Sequence, residues 1–293
     1  MLRALRLILD PREIVGIVNV GDDLTLHGLR ICPDLDTITY TLAGLDNTET
    51  GWGRLGETWR AMAELELLGG EAWFSLGDLD LATHLYRTQR LSEGASLSTV
   101  TQELLDRRGV DVMLLPATDD PIATEFTTTS GQRLSFQEYF VKHHHDVEIA
   151  SIEFAGAAQA TPAPHVLDLL ETAERIIISP SNPLISIQPI LAIPGIAEVL
   201  RARRDRVVAV SPLIGGRALK GPADRLLVEL AGEASNVAVA VAYDGLLGTL
   251  VIDAGDSAEV RSVEATGIRC IATPTLMSDE SASRSLAKAM LDA

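Results

Sequence analysis

Short apolar segments rich in Val and Ile alternate with segments of helical periodicity along most of this chain. The predicted strands are residues 14–20, 111–116, 175–180, 205–212, 236–243, 249–253 and 268–273. The predicted helices are the segment before Pro11 and residues 56–69, 81–107 with an interruption at Gly94, 165–174, 195–203, 222–232 and 280–293. Strands that alternate with helices in this way predict an α/β fold with a doubly wound, mainly parallel sheet.

One middle segment has a different pattern. Residues 117–165 show more polar alternation and a hairpin signal at Ser130-Gly131, and we interpret them as an inserted α+β subregion. The chain contains no internal repeat and no low-complexity linker. The sequence therefore predicts a single domain over residues 1–293 that carries this insertion.

Composition argues against several classes of protein. The chain has 24 basic and 41 acidic residues, a net charge of −17, and we interpret its basic cluster at 201–206 as the solvated end of a helix. A nucleic-acid partner is therefore not expected. A membrane partner is not expected either, since no apolar run approaches the roughly 20 residues that cross a bilayer. The two cysteines lie far apart in sequence, which favours a reducing, cytoplasmic environment over a disulfide scaffold.

An acidic stretch follows the first predicted strand. Asp22 and Asp23 come directly after it, at the edge where open α/β sheets bind ligands. Asp34 and Asp36 follow in a Pro-Asp-Leu-Asp run, where Pro33 is expected to hold both carboxylates in an extended geometry. Carboxylates without His or Cys suit Mg²⁺. The stretch is either a Mg²⁺ site or an acidic surface turn.

Two polar loops follow two later predicted strands. In "SPSNP", Ser181 and Asn182 precede a proline that is expected to begin a helix, and exposed N–H groups at a helix start bind anions. Plain capping of that helix by Ser or Asn is the alternative. The second loop, residues 211–224, contains Gly215 and the cation Lys220. The two loops together indicate a shared phosphate site.

A further polar stretch, "SLGDLDLATHLYRTQ", approaches a helix start. Capping of that helix is a sufficient explanation for at least one of Asp78 and Asp80. We interpret His84 as a hydrogen-bonded structural residue and the run at 143–145 as a loop. No Cys-His or Ser-His-Asp pattern has a specific spacing, so covalent catalysis is not indicated.

Taken together, these stretches resemble the phospholactate and phosphoenolpyruvate transferase family of coenzyme F-420 biosynthesis. The resemblance rests on blocks that occur in order over nearly the whole chain: "VNVGDD", "HGLRICPDLDTITYTLAG", "GWGRLGETW", "LGDLDLATHLYRTQ", "LPATDDPIATEF", "FQEYFV", "SPSNPLISI" and "SPLIGGRALKGPAD". It implies a Rossmann-like fold, usually in a homodimer, and a Mg²⁺-dependent transfer. A phospholactyl or phosphoenolpyruvyl group would pass from a guanosine diphosphate-linked donor to the ribityl hydroxyl of the deazaflavin Fo, releasing GMP.

The resemblance also implies residue roles. Asp22 and one or both of Asp34 and Asp36 would hold the metal, and Asp22 and Asp36 would be catalytic. The deazaflavin would contact Asp36, Thr37 and Ser75. The donor's phosphates would contact Ser181, Asn182, Gly215 and Lys220. Replacement of Asp36 by Asn is expected to cause a large loss of turnover with little loss of fold, because a carboxylate at the solvent edge should not support the core.

The sequence departs from the family in three places. The family has a strand and a glycine-rich turn ahead of the segment with which this sequence begins. Ser75 stands where archaeal relatives often have Lys, and Leu79 replaces a frequent Arg. Two other interpretations stay open: a non-catalytic nucleotide or nucleotide-sugar binding regulator of the same fold, and a Rossmann-like oxidoreductase. The oxidoreductase is disfavoured because no dinucleotide fingerprint occurs.

Overall fold

A computed structural model describes residues 1–47 and 53–293 of the chain. The strands are β1 (Val15–Val18), β2 (Leu24–Leu26), β3 (Leu29–Ile31), β4 (Met113–Pro116), β5 (Ala123–Thr128), β6 (Arg133–Ser135), β7 (Ile149–Ala155), β8 (Ile176–Ile178), β9 (Val207–Val210), β10 (Leu213–Ile214), β11 (Arg217–Ala218), β12 (Thr249–Ile252) and β13 (Arg269–Ala272). The α-helices are α1 (Leu2–Leu5), α2 (Pro33–Ala43), α3 (Arg60–Leu67), α4 (Asp78–Ser92), α5 (Leu97–Arg107), α6 (Val166–Thr172), α7 (Gln188–Leu191), α8 (Ile196–Ala202), α9 (Ala223–Ala231), α10 (Asn236–Ala242), α11 (Val260–Glu264) and α12 (Glu280–Asp292).

The parallel strands form two sheets that share one apolar core. β1 pairs with β4, and β8, β9, β12 and β13 lie side by side in that order. Strands β9 and β12 are buried along their whole length, as expected where helices cover both faces of a sheet. One large cluster of buried apolar side chains runs from α1 through both sheets to α12. The predicted α/β fold with parallel sheets is confirmed.

The segment between β4 and α6 forms its own antiparallel sheet. β5 pairs with β6 and with β7. The hairpin between β5 and β6 turns at Ser130-Gly131 as predicted, with Gly131 at a positive φ of 84°. Phe126 and Tyr139 stack with ring centroids 4.3 Å apart inside a small apolar cluster of this sheet. The sheet forms one wall of the cavity described below.

Residues 236–243 are a helix and not the predicted strand. Alternating Ala and Val in "NVAVAVA" imitates the two-residue period of a strand. The Ser235 hydroxyl caps the segment by accepting a hydrogen bond from the Ala238 N–H, which starts α10. The helix then buries Ala238, Val239 and Ala240 against its neighbours and leaves Val241 60% exposed.

The expected extended geometry at Pro33 is also wrong. Pro33 is the first residue of α2, where a missing N–H breaks no helical hydrogen bond and the fixed φ suits the helix. Asp34 and Asp36 lie in the first turn of this helix, where the positive end of the helix dipole favours carboxylates. They are two residues apart on a helix, so their side chains point in different directions.

Most other helices and strands begin or end a few residues from their predicted bounds. The helices on either side of Gly94 are α4 and α5, and α5 is capped by Ser96, whose hydroxyl accepts from the Thr99 N–H. Within the described residues, no single helix has the length and apolar composition to cross a bilayer. One bent pair, Pro183–Leu191 and Ile196–Ala202, meets those criteria when its two halves are taken together across a 96° bend.

Candidate active site

A cavity of about 1130 Å³ lies at the carboxyl ends of the parallel strands. Residues that follow β1, β8, β9 and β13 line it, and this is the edge at which open α/β sheets bind ligands. Eight of the nine predicted site residues line this cavity: Asp22, Asp34, Asp36, Thr37, Ser75, Ser181, Asn182 and Lys220. The ninth, Gly215, does not. The sequence segments that were proposed separately therefore meet in one place.

Asp22 and Asp34 form a carboxylate pair on one wall. Asp34 Oδ2 accepts a hydrogen bond from Asn19 Nδ2 at 3.3 Å, and Asp22 Oδ1 lies 3.4 Å from the Thr124 hydroxyl that donates to it. In the described part of the chain, no Lys or Arg forms an ion pair with either carboxylate.

The environment of this pair disfavours two negative charges. Burial raises the pKa of Asp22 well above its usual value, and the neighbouring charge of Asp34 raises it further. Burial also raises the pKa of Asp34 to about 6. Two carboxylates without a counter-ion fit a divalent cation, because Mg²⁺ takes oxygen ligands and would neutralise both charges.

Asp23 does not line the cavity. Its Oδ2 accepts a hydrogen bond from Arg30 at 2.9 Å, and its side chain is 1% exposed. Burial raises the pKa of Asp23 to about 7, although the charge of Arg30 opposes this rise. Of the two adjacent acids after β1, only Asp22 lines the cavity.

Asp36 is paired with a buried arginine. The Arg87 guanidinium donates to both carboxylate oxygens, with 3.1 Å between Nη1 and Oδ2. Asp36 is 5% exposed and Arg87 is 1% exposed. Burial alone would lower the pKa of Arg87, but the charge of Asp36 raises it above its usual value. The expectation that Asp36 lies at the solvent edge, apart from the core, is therefore wrong.

One face of α4 presents a row of polar side chains to α2. Asp80, His84 and Arg87 are spaced four and three residues apart and so share a helix face, which lies against Asp36 and Tyr40 of α2. The sequence singled out these α4 residues but did not connect them with Asp36. The i, i+4, i+7 spacing was the signal that they act together.

Asp36, Asp80 and His84 bring potential metal-ligand atoms within 4.8 Å of one another. Arg87 already supplies a positive charge there, because Nη1 lies 3.3 Å from His84 Nδ1 and also binds Asp36. Tyr40 donates its hydroxyl proton to Asp80. These contacts engage Asp36 and Asp80 without a metal, whereas His84 Nε2 is buried and has no hydrogen-bond partner in the described part of the chain.

Ser181 and Asn182 lie at the carboxyl end of β8. Asn182 Oδ1 caps the following helical turn, Pro183–Ile187, by accepting from the Leu184 N–H at 2.9 Å. The capping alternative is therefore correct for this oxygen. Asn182 Nδ2 is buried and has no hydrogen-bond partner in the described part of the protein. A buried, unpaired donor at a cavity wall is costly, which favours an acceptor bound there.

The Gly215-Gly216 pair forms a turn rather than a cavity wall. It joins β10 to β11 with φ angles of 61° and 72°, which a two-residue hairpin loop of this type requires. The Gly215 N–H donates to both carboxylate oxygens of Asp256 at 3.0 and 3.1 Å. The predicted phosphate contact of Gly215 thus competes with an existing hydrogen bond, whereas Lys220 is exposed and lines the cavity.

Aromatic side chains line another wall, and sequence analysis missed them. They are Trp59, Trp73, Phe74, Phe136 and Phe140, and Ser75 and His144 lie beside them. Phe136 and Phe140 stack with centroids 5.5 Å apart and ring planes 12° apart. These rings come from two segments far apart in sequence, so local patterns gave no sign of a common wall. We call this group the aromatic wall.

The loop after β13 is a second wall that sequence analysis did not assign. Thr275, Leu276 and Met277 line the cavity. Asp253 fixes this loop by accepting hydrogen bonds from the N–H and the hydroxyl of Thr275 at 2.9 and 3.1 Å. Burial opposes ionisation of Asp253, but these hydrogen bonds outweigh it and lower its pKa.

The histidine run at 143–145 and the basic cluster at 201–206 both have the structural roles expected of them. Residues 143–145 lie in a loop, as expected, and His144 and His145 both adopt positive φ angles. The basic cluster at 201–206 lies at the end of α8. Arg203 donates hydrogen bonds to the Leu170 and Ala173 carbonyls. Arg204 donates to the Leu247 and Gly267 carbonyls. Of these residues, only His144 lines the cavity.

Comparison with known proteins relates this geometry to a family. The sequence model of the family described as 2-phospho-L-lactate transferase CofD matches residues 1–274. A phosphoenolpyruvate transferase from Kitasatospora aureofaciens is 45% identical over 99% of this chain and 92% of its own length. A protein of the same name from Nocardia farcinica is 44% identical over 99% of this chain and 90% of its own.

Solved structures show the same fold. Protein BH3568 from Bacillus halodurans superposes with a TM-score of 0.62 over 99% of this chain and 95% of its own, at 16% sequence identity. An identity this low supports the fold and no more. The family match and the curated relatives, by contrast, extend over the segments that line the cavity. The chain therefore belongs to the 2-phospho-L-lactate transferase CofD family and is a transferase of coenzyme F-420 biosynthesis.

Proposed function

We propose that this cavity transfers a phosphoenolpyruvyl or phospholactyl group from a guanosine diphosphate-linked donor to the ribityl hydroxyl of the deazaflavin Fo, with release of GMP. The observation that carries the proposal is the placement, in one cavity, of an uncompensated carboxylate pair and an unpartnered amide donor. The pair is Asp22 and Asp34, and the donor is Asn182 Nδ2. A metal-bound diphosphate with an exposed acceptor oxygen would satisfy both.

Asp22 and Asp34 would hold a Mg²⁺ ion. When bound, the ion would neutralise charge on the diphosphate and on the departing phosphate. Asn19 and Thr124 orient the two carboxylates through the hydrogen bonds described above. Asp36 is a weaker candidate ligand, since Arg87 already occupies both of its oxygens. The predicted participation of Asp36 in the metal site is thus the least supported of the three.

The donor's phosphates would lie between the metal pair and the loops after β8 and β9. Asn182 Nδ2 would donate to a phosphate oxygen, and Lys220 would supply a positive charge. In the reaction, the acceptor oxygen forms a bond to the phosphorus that carries the three-carbon acid. The bond from that phosphorus to the bridging oxygen breaks, GMP leaves with the bond's electron pair, and the hydroxyl proton is released.

The acceptor would bind on the other side of the metal pair. The aromatic wall offers stacking faces to a flat ring system, and the Ser75 hydroxyl lies beside them. Asp36 also lines the cavity, where its carboxylate would accept a hydrogen bond from an acceptor hydroxyl. Thr37, one residue further along α2, is exposed at the same wall.

The test is an incubation of the protein with Fo, Mg²⁺ and each guanylylated three-carbon acid. We expect GMP and a phosphorylated deazaflavin in equal amounts, which chromatography would measure. Asp22→Asn and Asp34→Asn should each remove turnover, whereas Asp168→Asn, an exposed acid in the first turn of α6, should not. Absence of product with every donor would contradict the proposal.

A binding measurement complements this assay. Mg²⁺ should raise the melting temperature of the wild-type protein, because a ligand that binds only the folded state stabilises it. The same addition should have little effect on Asp34→Asn. A homodimer in the cytoplasm remains the prediction for the assembled protein, and sedimentation analysis of the purified chain would test its oligomeric state.

A further inference from the structure

Arg87 contacts Asp36 but does not itself line the cavity. Asp36 lines the cavity, whereas Arg87, the largest of the fully buried side chains in the described residues, does not. The two guanidinium nitrogens contact one carboxylate oxygen each. This two-point contact fixes the plane of the carboxylate as well as its position, which a single hydrogen bond cannot do.

The guanidinium is itself held from two further sides. Arg87 Nη1 donates to the Arg30 carbonyl at 3.3 Å and lies 3.3 Å from His84 Nδ1. Because a guanidinium has only donors, His84 Nδ1 must accept, and the ring proton is then on Nε2. That nitrogen lies 3.3 Å from Asp80 Oδ2. It forms no hydrogen bond to Asp80 or to any other described residue, so the hydrogen-bonded contacts lead from His84 through Arg87 to Asp36.

Stability alone does not explain this arrangement. A buried ion pair loses the hydration of both charges, and replacing it with apolar side chains of similar size is often neutral or stabilising. An apolar pair would suffice to pack α2 against α4. What the ion pair adds is a charged carboxylate, held in one orientation, at the wall of a cavity.

The contrast with Asp22 and Asp34 separates two kinds of carboxylate in one cavity. Neither Asp22 nor Asp34 forms an ion pair with a basic side chain of the described residues, and the donors that contact them are the neutral Thr124 hydroxyl and Asn19 amide. Asp36 has a full counter-charge already in place. A divalent cation would therefore bind more favourably to Asp22 and Asp34, which have no counter-charge, than to Asp36, which is already paired with Arg87.

We propose that Arg87 is a positioning residue of the transfer site, which orients Asp36 to receive the acceptor's hydroxyl, while Asp22 and Asp34 form the metal site without Asp36. This inference rests on the proposed function. It assigns the three acids, which the sequence could not separate, to two different tasks.

The test compares Arg87→Lys and Arg87→Met with Arg90→Met. Arg90 is a matched control, because it lies one turn along α4 and makes a two-point contact with Glu103 away from the cavity, at 3.0 and 2.8 Å. We expect kcat to fall about 100-fold in Arg87→Met, as for a group displaced by about 1 Å. We expect about a tenfold fall in Arg87→Lys, which keeps the charge but loses the two-point contact. Arg90→Met should match the wild type.

Mn²⁺ titration by calorimetry measures the metal site without turnover. Mn²⁺ affinity should be unchanged in Arg87→Lys, whereas it should fall in Asp34→Asn. A crystal structure of Arg87→Lys should show the Asp36 carboxylate turned from its position in the wild type. If Arg87→Met does not fold, Arg87→Lys decides the kinetic comparison, since it retains a cation beside Asp36.

Three results would overturn the inference: kcat of Arg87→Lys equal to that of Arg90→Met, a change in Mn²⁺ affinity, or an unmoved Asp36. A shift in Mn²⁺ affinity would mean that Asp36 is a metal ligand. Failure of the proposed function looks different, because the wild type itself would then give no product. In that case the position of Asp36 and the Mn²⁺ titration still decide whether Arg87 positions this carboxylate.

Discussion

Glu57 and Asp78 cap the starts of each other's helices. The Glu57 carboxylate accepts hydrogen bonds from the N–H groups of Leu79 and Asp80 at the start of α4, at 2.8 and 2.9 Å. Asp78, at the start of α4, accepts from the N–H groups at the start of α3, including that of Ala61 at 3.1 Å. These hydrogen bonds connect α3 to α4, the helix that carries Arg87. In the sequence, α3 lies between Trp59 and Trp73 of the aromatic wall.

Replacement of Asp78 by Ala should destabilise the protein by about 1–2 kcal/mol, the usual cost of losing a helix cap. Urea unfolding would measure this loss, and limited proteolysis should show faster cleavage within residues 60–70. Asp168→Ala is the control, because Asp168 also lies in a first helical turn but its side chain caps nothing in the described structure. Equal stability of the two variants would contradict the role of Asp78.

Replacement of Asp36 by Asn should cost stability as well as turnover. The change leaves the Arg87 charge buried without its partner, and breaking a buried pair in this way typically costs about 3–5 kcal/mol. Thermal unfolding would measure the loss. A double variant, Asp36→Asn with Arg87→Met, should recover part of it, since no unpaired charge then remains. A single variant as stable as the wild type would show that water reaches Arg87.

Replacement of Gly216 by Ala should destabilise the protein more than replacement of Gly215. Both glycines have positive φ angles, where an L-residue costs about 1–2 kcal/mol. A Cβ on Gly216 would also lie 3.1 Å from the Ala234 carbonyl oxygen, whereas one on Gly215 would meet open space. Urea midpoints of the two variants test this difference, and the reverse order would contradict it.

Stability should depend on Glu103 in a defined pH range. Hydrogen bonds from Arg90 and Tyr86 lower the pKa of Glu103 from 4.5 to about 2. Its contribution is therefore complete above pH 4.5 and is lost as the pH falls towards 2, since the unfolded chain takes up this proton first. The urea midpoints of wild type and Glu103→Gln should differ at neutral pH and converge at low pH. Added salt should reduce the difference, because the side chains of Arg90 and Glu103 are both partly exposed to solvent.

The sequence predicted the fold and much of the cavity for one reason. Polar residues that follow parallel strands collect at the carboxyl ends of those strands, so Asp22, Ser181 and the loop that carries Lys220 could be grouped without coordinates, even though β1 and β8 belong to different sheets. The strand predicted for "NVAVAVA" is wrong because alternating small and branched residues suit both a strand and a packed helix. What decides between them is the Ser235 cap and the neighbours of the segment.

The partner of Asp36 could not be found from local patterns. Asp36 and Arg87 are 51 residues apart and meet because α2 packs against α4. The aromatic wall is similar, since Trp73 and Phe136 come from separate elements. Contacts of this kind depend on how elements pack, and a pattern within one element contains no information about them.

Asp80, His84 and Arg87 lie on one face of α4 only while the helix is uninterrupted. The site therefore depends on the helical register of α4. Each residue of an α-helix turns the next by about 100°, so one residue inserted between Asp80 and Arg87 would carry part of the row away from α2. No substitution would be needed to disconnect Asp36 from its support. Changes in chain length within this family should therefore be found in the turn at 93–96, between α4 and α5, and should be absent from the helix itself.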